Sequence, residues 1–276
     1  MARQGDLTME MMRVMICGDL HTGHRVGLTH PKHQPICPED APHHLRKQAN
    51  MRKNLWDWFA ERVEHYRPIH RLIVNGDAVD GKGGRSGSTE LLTADRDEQA
   101  QMAADAINWI GASEVYATYG TPYHVGTEED WENVVVAKLD NFRKIEAEGH
   151  YECNGLRVVC KHYIGNTASP TSRATALSNA QIKQMLWALR CQQPLANLIV
   201  RSHVHRCVSF TDPGMNFAAW TTPALMGLGS KYGSRQCDGL PVDFGFLVVD
   251  VQDDAHWGVH AEIMPLSTEA AAVNKF

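Results

Sequence analysis

Six side chains in this sequence have the chemistry of transition-metal ligands and fall where a fold could gather them. Asp19 and His21 close the run Val14-Met15-Ile16-Cys17-Gly18-Asp19-Leu20-His21. Asp77 follows the apolar part of residues 71–80, RLIVNGDAVD. His162 lies in RVVCKHYI at 157–164, and His203 and His205 end LIVRSHVHR at 198–206. Each apolar stretch has the length and continuity of a buried strand, and α/β sheets gather ligands beyond the carboxyl ends of their strands. Alone, any one of these residues reads as a solvated turn or a satisfied core histidine. Six in succession at such positions read as a shared site. Four imidazoles and two carboxylates suit Mn, Fe or Zn better than Ca or Mg. They also exceed what one tetrahedral zinc needs, whereas two ions bridged by a carboxylate, about 3.5–4 Å apart, would use them all.

The elements that must position these residues follow from periodicity. Residues 22–44 hold Pro31, Pro35, Pro38 and Pro42 with His24, His30, His33, His43 and His44, and read as a loop beside the first strand's end. Those histidines with Cys37 match no recurring zinc spacing. Residues 45–66 read as a helix with Met51, Leu55, Phe59 and Val63 on one face, stopped by Pro68. The glycine-rich stretch 81–87 lacks the helix-linked spacing of a phosphate-binding loop and reads as a plain loop. A second helix is expected over 95–110, with Ala103, Ile107 and Ile110 inward, then a strand over 114–119. A third helix is expected over 129–146, with Trp131, Val135, Leu139 and Phe142 in one stripe. Strand–helix alternation of this kind signals a layered α/β sheet.

The second half has Asn154-Gly155 as a hairpin signal and a strand over 157–164. A helix over 174–190 would use Ile182, Met185, Leu186 and Leu189 as its apolar face. Apolar runs at 217–220, 244–251 and 256–264 read as antiparallel strands. No repeat or linker divides the chain, so one domain over 12–266 is expected.

Composition narrows the function classes. The 276 residues carry a net charge of −5, so no basic field advertises nucleic acid or a membrane surface. The seven cysteines contain no CxxC pair and are expected to be reduced thiols in a cytoplasmic protein. No apolar leader and no run near the ~20 residues of a membrane span is evident.

The chain resembles the calcineurin-like metallophosphoesterases. Gly18-Asp19-Leu20-His21, Gly76-Asp77-Ala78-Val79-Asp80-Gly81, His162 and Ser202-His203-Val204-His205 are similar to that family's GDxH, GDxxDxG, lone-His and GHxH blocks, in the same order. The resemblance implies a four-layer α/β/β/α sandwich of two mixed sheets flanked by helices. It implies that Asp19, His21 and His205 hold one divalent ion, that His162 and His203 hold a second, and that Asp77 bridges them. Mn is the first expectation, with Fe or Zn as alternatives. Two departures stand out. Ser202 replaces the usual Gly, at small expected cost. The family's GNH block appears as Gly120-Thr121-Pro122-Tyr123-His124, so Thr121 stands where an Asn would ligate the second ion. Thr121 or a backbone carbonyl is expected to complete that shell, and His124 to act as general acid or as a stabiliser of developing charge. Virus-borne members resemble this chain in carrying a GTPxH variant.

The implied activity is hydrolysis of phosphomonoesters or phosphodiesters by in-line attack of a metal-bridging hydroxide. The substrate class is a phosphoester: a small molecule, a nucleotide or a phosphoprotein. A DNA exo- or endonuclease of the same superfamily is the alternative, disfavoured by the acidic charge. A non-catalytic binding module on the same fold is the alternative of another class, disfavoured because all four histidines are kept.

Overall fold

Period-two alternation along the strands sorts the apolar side chains into layers. In the computed structural model, which describes residues 10–126, 130–166, 169–228 and 241–265, eleven strands and five α-helices are assigned. Cys237 and residue 266, the expected domain end, lie outside the described residues.

The first sheet has the order β11-β10-β1-β2-β3-β4. Its members are β1 (Met12–Cys17), β2 (Arg71–Asn75), β3 (Glu114–Thr118), β4 (Phe142–Glu146), β10 (Gly245–Val251) and β11 (Trp257–Ile263). Strands β1 to β4 run parallel, while β10 and β11 add antiparallel. The second sheet has the order β5-β6-β7-β9-β8. It comprises β5 (Gly149–Cys153), β6 (Leu156–Cys160), β7 (Leu198–Arg201), β8 (Val208–Asp212) and β9 (Phe217–Thr221).

Val14, Ile16, Ile73, Leu247 and Val249 of the first sheet meet Leu156, Val158, Leu198 and Val200 of the second in an apolar layer between the sheets. The alternate residues Met15, Leu72, Val74, Phe246 and Val248 face outward onto α1 (His43–Tyr66) and α2 (Arg96–Ile110). On the far side Val159, Ile199 and Ala219 face Leu177 of α5 (Thr175–Leu189). These are the four expected layers.

Local signals set several boundaries. Asp95 caps α2 by accepting from the Asp97 and Glu98 amides, and Gly111 ends it at φ 74°. Asn154 and Gly155, at φ 46° and 86°, turn the β5–β6 hairpin. Leu55, Phe59 and Val63 of α1 and Ala103, Ile107 and Ile110 of α2 are buried as expected.

Three expectations need correction. The stretch 129–146 is not one helix: α4 (Trp131–Val136) ends early and β4 follows as the edge strand beside β3. Val134, Val135 and Val136 are poor helix formers, and Asp140-Asn141 supplies a turn. The strand β9 runs parallel to β7 and antiparallel only to β8. Finally, α5 turns the opposite face inward: Leu177, Gln181 and Gln184 are buried, while Ile182, Leu186 and Leu189 are exposed. Gln184 earns its inward place by donating to the Pro194 carbonyl. Among the described residues no helix is long and apolar enough to cross a membrane.

Candidate metal centre

Strand ends from both sheets converge on one pocket. Asp19 and His21 follow β1 and Asp77 follows β2, whereas His162 follows β6 and His203 and His205 follow β7. The turns are bonded to one another: Asp19 N–H donates to the Gly76 carbonyl (2.9 Å), His21 N–H to that of Asp77 (3.1 Å), and Ser202 N–H to that of His162 (2.8 Å). Gly76, at φ 80°, is required here, because a Cβ would lie 2.6 Å from the His162 ring.

The six side chains fall into two donor groups, Asp19–His21–His205 and Asp77–His162–His203, the donor atoms of each lying within 4.8 Å of one another. Within the first, His205 Nε2 is 3.2 Å from both His21 Nε2 and Asp19 Oδ1. In the second, His162 Nε2 is 3.0 Å from Asp77 Oδ2. Two donors at about 2.1 Å on a tetrahedral ion are themselves about 3.4 Å apart, so these separations suit coordination. Asp19 Oδ1 and His162 Nε2 are buried and make no hydrogen bond, although burying such atoms unpaired is costly. An N/O-ligated divalent cation would satisfy both. The residues fit the metal.

Neighbouring groups fix how these ligands point. His162 Nδ1–H donates to the Asn75 carbonyl at 2.8 Å, which turns Nε2 into the pocket. His21 Nδ1 lies 3.2 Å from Asp80 Oδ1, an ion-pair separation without hydrogen-bond geometry, so Asp80 acts on that ring through its charge. The His203 amide donates to Asp19 Oδ2 at 2.9 Å, leaving Oδ1 without a hydrogen bond.

The electrostatics are those of a pocket that attracts positive charge. Burial raises Asp77, but the His162 contact outweighs it and draws the carboxyl down to about 2. Asp19 is also held well below its usual range, with His205 and His162 overcoming its burial. Burial opposes a proton on His21 and on His162. The carboxylates nevertheless push His21 up to about 10, and Asp19 and Asp77 push His162 up to about 9. An ion bound by the same atoms would displace those protons.

His124 and Thr121 lie at the same pocket. Thr121 N–H donates to Asp77 Oδ1 at 2.6 Å, and its hydroxyl is 3.1 Å from Oδ2. His124, in α3 (Pro122–Val125), donates from Nδ1 to the Asp80 carbonyl at 2.8 Å and packs edge-on to His21 at 4.4 Å. Burial, then the His21 charge, lowers it to about 4. His124 also forms a third donor group with His21 and Asp77. The described loops 22–44 and 81–94 bring no further metal-ligating group together.

Two sheets that meet at strand-end turns bearing Asp, His and paired His, with helices outside both, define the architecture. The chain has a four-layer α/β/β/α fold of two mixed sheets flanked by helices. Several solved structures are similar to it at low identity. Vps29 of Entamoeba histolytica, complexed with Zn2+, is 12% identical over 91% of this chain and 99% of that one, with a TM-score of 0.42. YfcE, a phosphoesterase from E. coli, is 13% identical over 91% and 99%, at 0.41. The purple acid phosphatase PPD1 of yellow lupin is 10% identical over 89% of this chain and 50% of its own, at 0.43. No protein-family model matches the sequence, and no curated protein matches it.

Three residues around this pocket carry no clear signal in the sequence. In the sequence Asn75 stands only at the end of an apolar stretch, and Asp80 only within a motif block. Glu132 was read as one more residue of a helix. It is 3% exposed, and burial, then the Asp77 charge, pushes it up to about 8. A charged residue between Trp131 and the valines was its only sequence signal.

Proposed function

We propose that the chain is a metal-dependent phosphoesterase that hydrolyses phosphomonoesters or phosphodiesters at this pocket. The observation that carries the reading is the pair of adjacent donor groups, built from both sheets and containing buried donor atoms without hydrogen bonds. Asp19, His21 and His205 would hold one divalent ion, and His162 and His203 the other, with Asp77 between them. Bound there, two such ions would neutralise charge building on phosphorus and would lower the pKa of water toward neutrality. The protein's own part is to orient and to handle the leaving group. His124 is fixed through Nδ1–H and burial favours its neutral form, so Nε2 carries a lone pair and would protonate the leaving oxygen only after taking up a proton beside the substrate's negative charge. Asn75 holds the His162 ring in register, and Asp80 acts on the His21 ring through its charge. Mn is the proposed metal, with Fe or Zn as alternatives.

The test is metal content by elemental analysis together with hydrolysis of p-nitrophenyl phosphate and bis-p-nitrophenyl phosphate, on wild type and Asp77→Asn. Close to two ions per chain and chelator-sensitive turnover are expected, both falling sharply in the variant. Bound metal with neither ester hydrolysed would favour the non-catalytic binding module. DNA cleavage in Mn would favour the nuclease.

A further inference from the structure

The carboxylate of Glu132 has no part in the motif blocks, yet it sits directly behind the two turns that matter most. It occupies the second residue of α4, in a pocket lined by Val74, Ala78, Ile107, Ala117, Val135 and Leu139. A carboxyl placed in such surroundings needs partners, and Glu132 has two. Gly120 N–H donates to Oε2 at 2.6 Å and Ala78 N–H to Oε1 at 3.4 Å. Ala78 N–H belongs to the peptide unit immediately after Asp77. Gly120 N–H immediately precedes the Thr121 amide that grips Asp77 Oδ1 at 2.6 Å. The turns meet so closely that a Cβ on Gly120 would lie 2.1 Å from that oxygen.

We propose that Glu132 is a positioning residue that clamps the Asp77 turn to the Gly120–Thr121 turn and so sets the orientation of the Asp77 carboxylate. The inference rests on the phosphoesterase reading for its consequence, not for its geometry. It matters in this chain because Thr121 reaches Asp77 through a main-chain amide and a short hydroxyl, neither of which can follow the carboxylate if the turn shifts. It also accounts for a Glu where a Gln would be cheaper to bury. A carboxyl in either protonation state presents an acceptor to both amides, whereas a carboxamide turns an NH2 toward one of them.

The experiment compares wild type, Glu132→Gln, Glu132→Asp and Val135→Ala, the last removing packing from the same pocket without touching either turn. Three quantities are read: the Thr121 amide proton shift in chelator, the Mn dissociation constant, and kcat and KM separately. Glu132→Gln is expected to move the Thr121 amide upfield. It should also weaken Mn about 10- to 100-fold, the usual range for groups behind a ligand, and lower kcat with little change in KM. Val135→Ala, at a matched loss of melting temperature, is expected to leave the amide and the Mn affinity within about twofold of wild type. If Glu132→Gln does not fold, Glu132→Asp, which keeps both acceptors on a shorter stem, gives the same readouts at smaller amplitude. A Thr121 amide and an Mn affinity indistinguishable from those of Val135→Ala would overturn the proposal. If wild type bound no Mn and hydrolysed nothing, the phosphoesterase reading would fall, and the amide shift, read without metal, would still decide the clamp.

Discussion

At the scale of single residues, the backbone is as informative as the side chains. Asp19, His21, Asp77, His203 and His205 all hold positive φ, between 45° and 73°. Such non-glycine conformations cost of order 1 kcal/mol or more each and persist where the surroundings over-determine them, typically at functional sites. Here the over-determination is the mesh of turn-to-turn hydrogen bonds. His124 offers a sharp test because it is placed both to protonate a leaving group and to join a donor group with His21 and Asp77. His124→Gln is expected to lower kcat by about 10²- to 10⁴-fold, as loss of general acid catalysis does, with metal content unchanged. A parallel fall in bound metal, read by elemental analysis, would make His124 a ligand instead. Ser202 is less innocent than its size suggests. Its Oγ accepts from Asn75 Nδ2 at 2.7 Å and lies 2.8 Å from Thr222 Oγ1, while Thr118 donates to Asn75 Oδ1, so a buried polar chain links the two sheets. Ser202→Gly, the substitution toward the usual family residue, is expected to lower unfolding free energy by about 1–2 kcal/mol in urea titration, because Asn75 and Thr222 lose a buried partner.

Elements show why part of the site was legible and part was not. Asp19, His21, Asp77, His203 and His205 were readable because each follows an apolar run directly, and strand ends are where α/β folds collect ligands. Glu132, Asn75 and Ser202 act through backbone amides or through one another, contacts with no fixed spacing in sequence. The 129–146 stretch misled for a related reason. Trp131, Val135, Leu139 and Phe142 share a helical stripe and all reach the same core, but Phe142 does so from a strand. The helix α5 misled differently, since its apolar stripe at Ile182, Leu186 and Leu189 faces outward and its contact with the sheet is made by Leu177. Hydrophobic periodicity identified the helix and chose the wrong face. Leu186→Gln is therefore expected to change stability by no more than about 0.5 kcal/mol, and Leu177→Ala to cost about 2–5 kcal/mol. Equal losses in thermal unfolding of the two variants would mean that α5 turns its Ile182–Leu186–Leu189 face toward the sheet.

For the molecule as a whole, the candidate ligands are divided between the sheets, and that division would have a thermodynamic consequence. Asp19, His21 and Asp77 leave the first sheet, while His162, His203 and His205 leave the second. The groups Asp19–His21–His205 and Asp77–His162–His203 each mix the two, so an ion held by either of them would cross-link the sandwich at one end of its inter-sheet core. Unfolding must then break that link, and the stabilisation follows mass action: about 2.7 kcal/mol at a free ion concentration 100 times the dissociation constant. At roughly 2–4 °C per kcal/mol for a chain approaching this size, Mn loading is expected to raise the melting temperature by about 5–10 °C, and chelator to return it. The two sheets should also melt together in both forms, since the apolar layer between them exists without the ion. Asp77→Asn is expected to lose most of the metal-dependent shift and also to melt below wild type in chelator, because buried His162 loses the carboxylate that it pairs with at 3.0 Å. A melting temperature that Mn leaves unmoved in wild type, measured by scanning calorimetry with free Mn well above micromolar, would show that the six donors do not act on one ion pair. The strained strand-end turns would then need another cause.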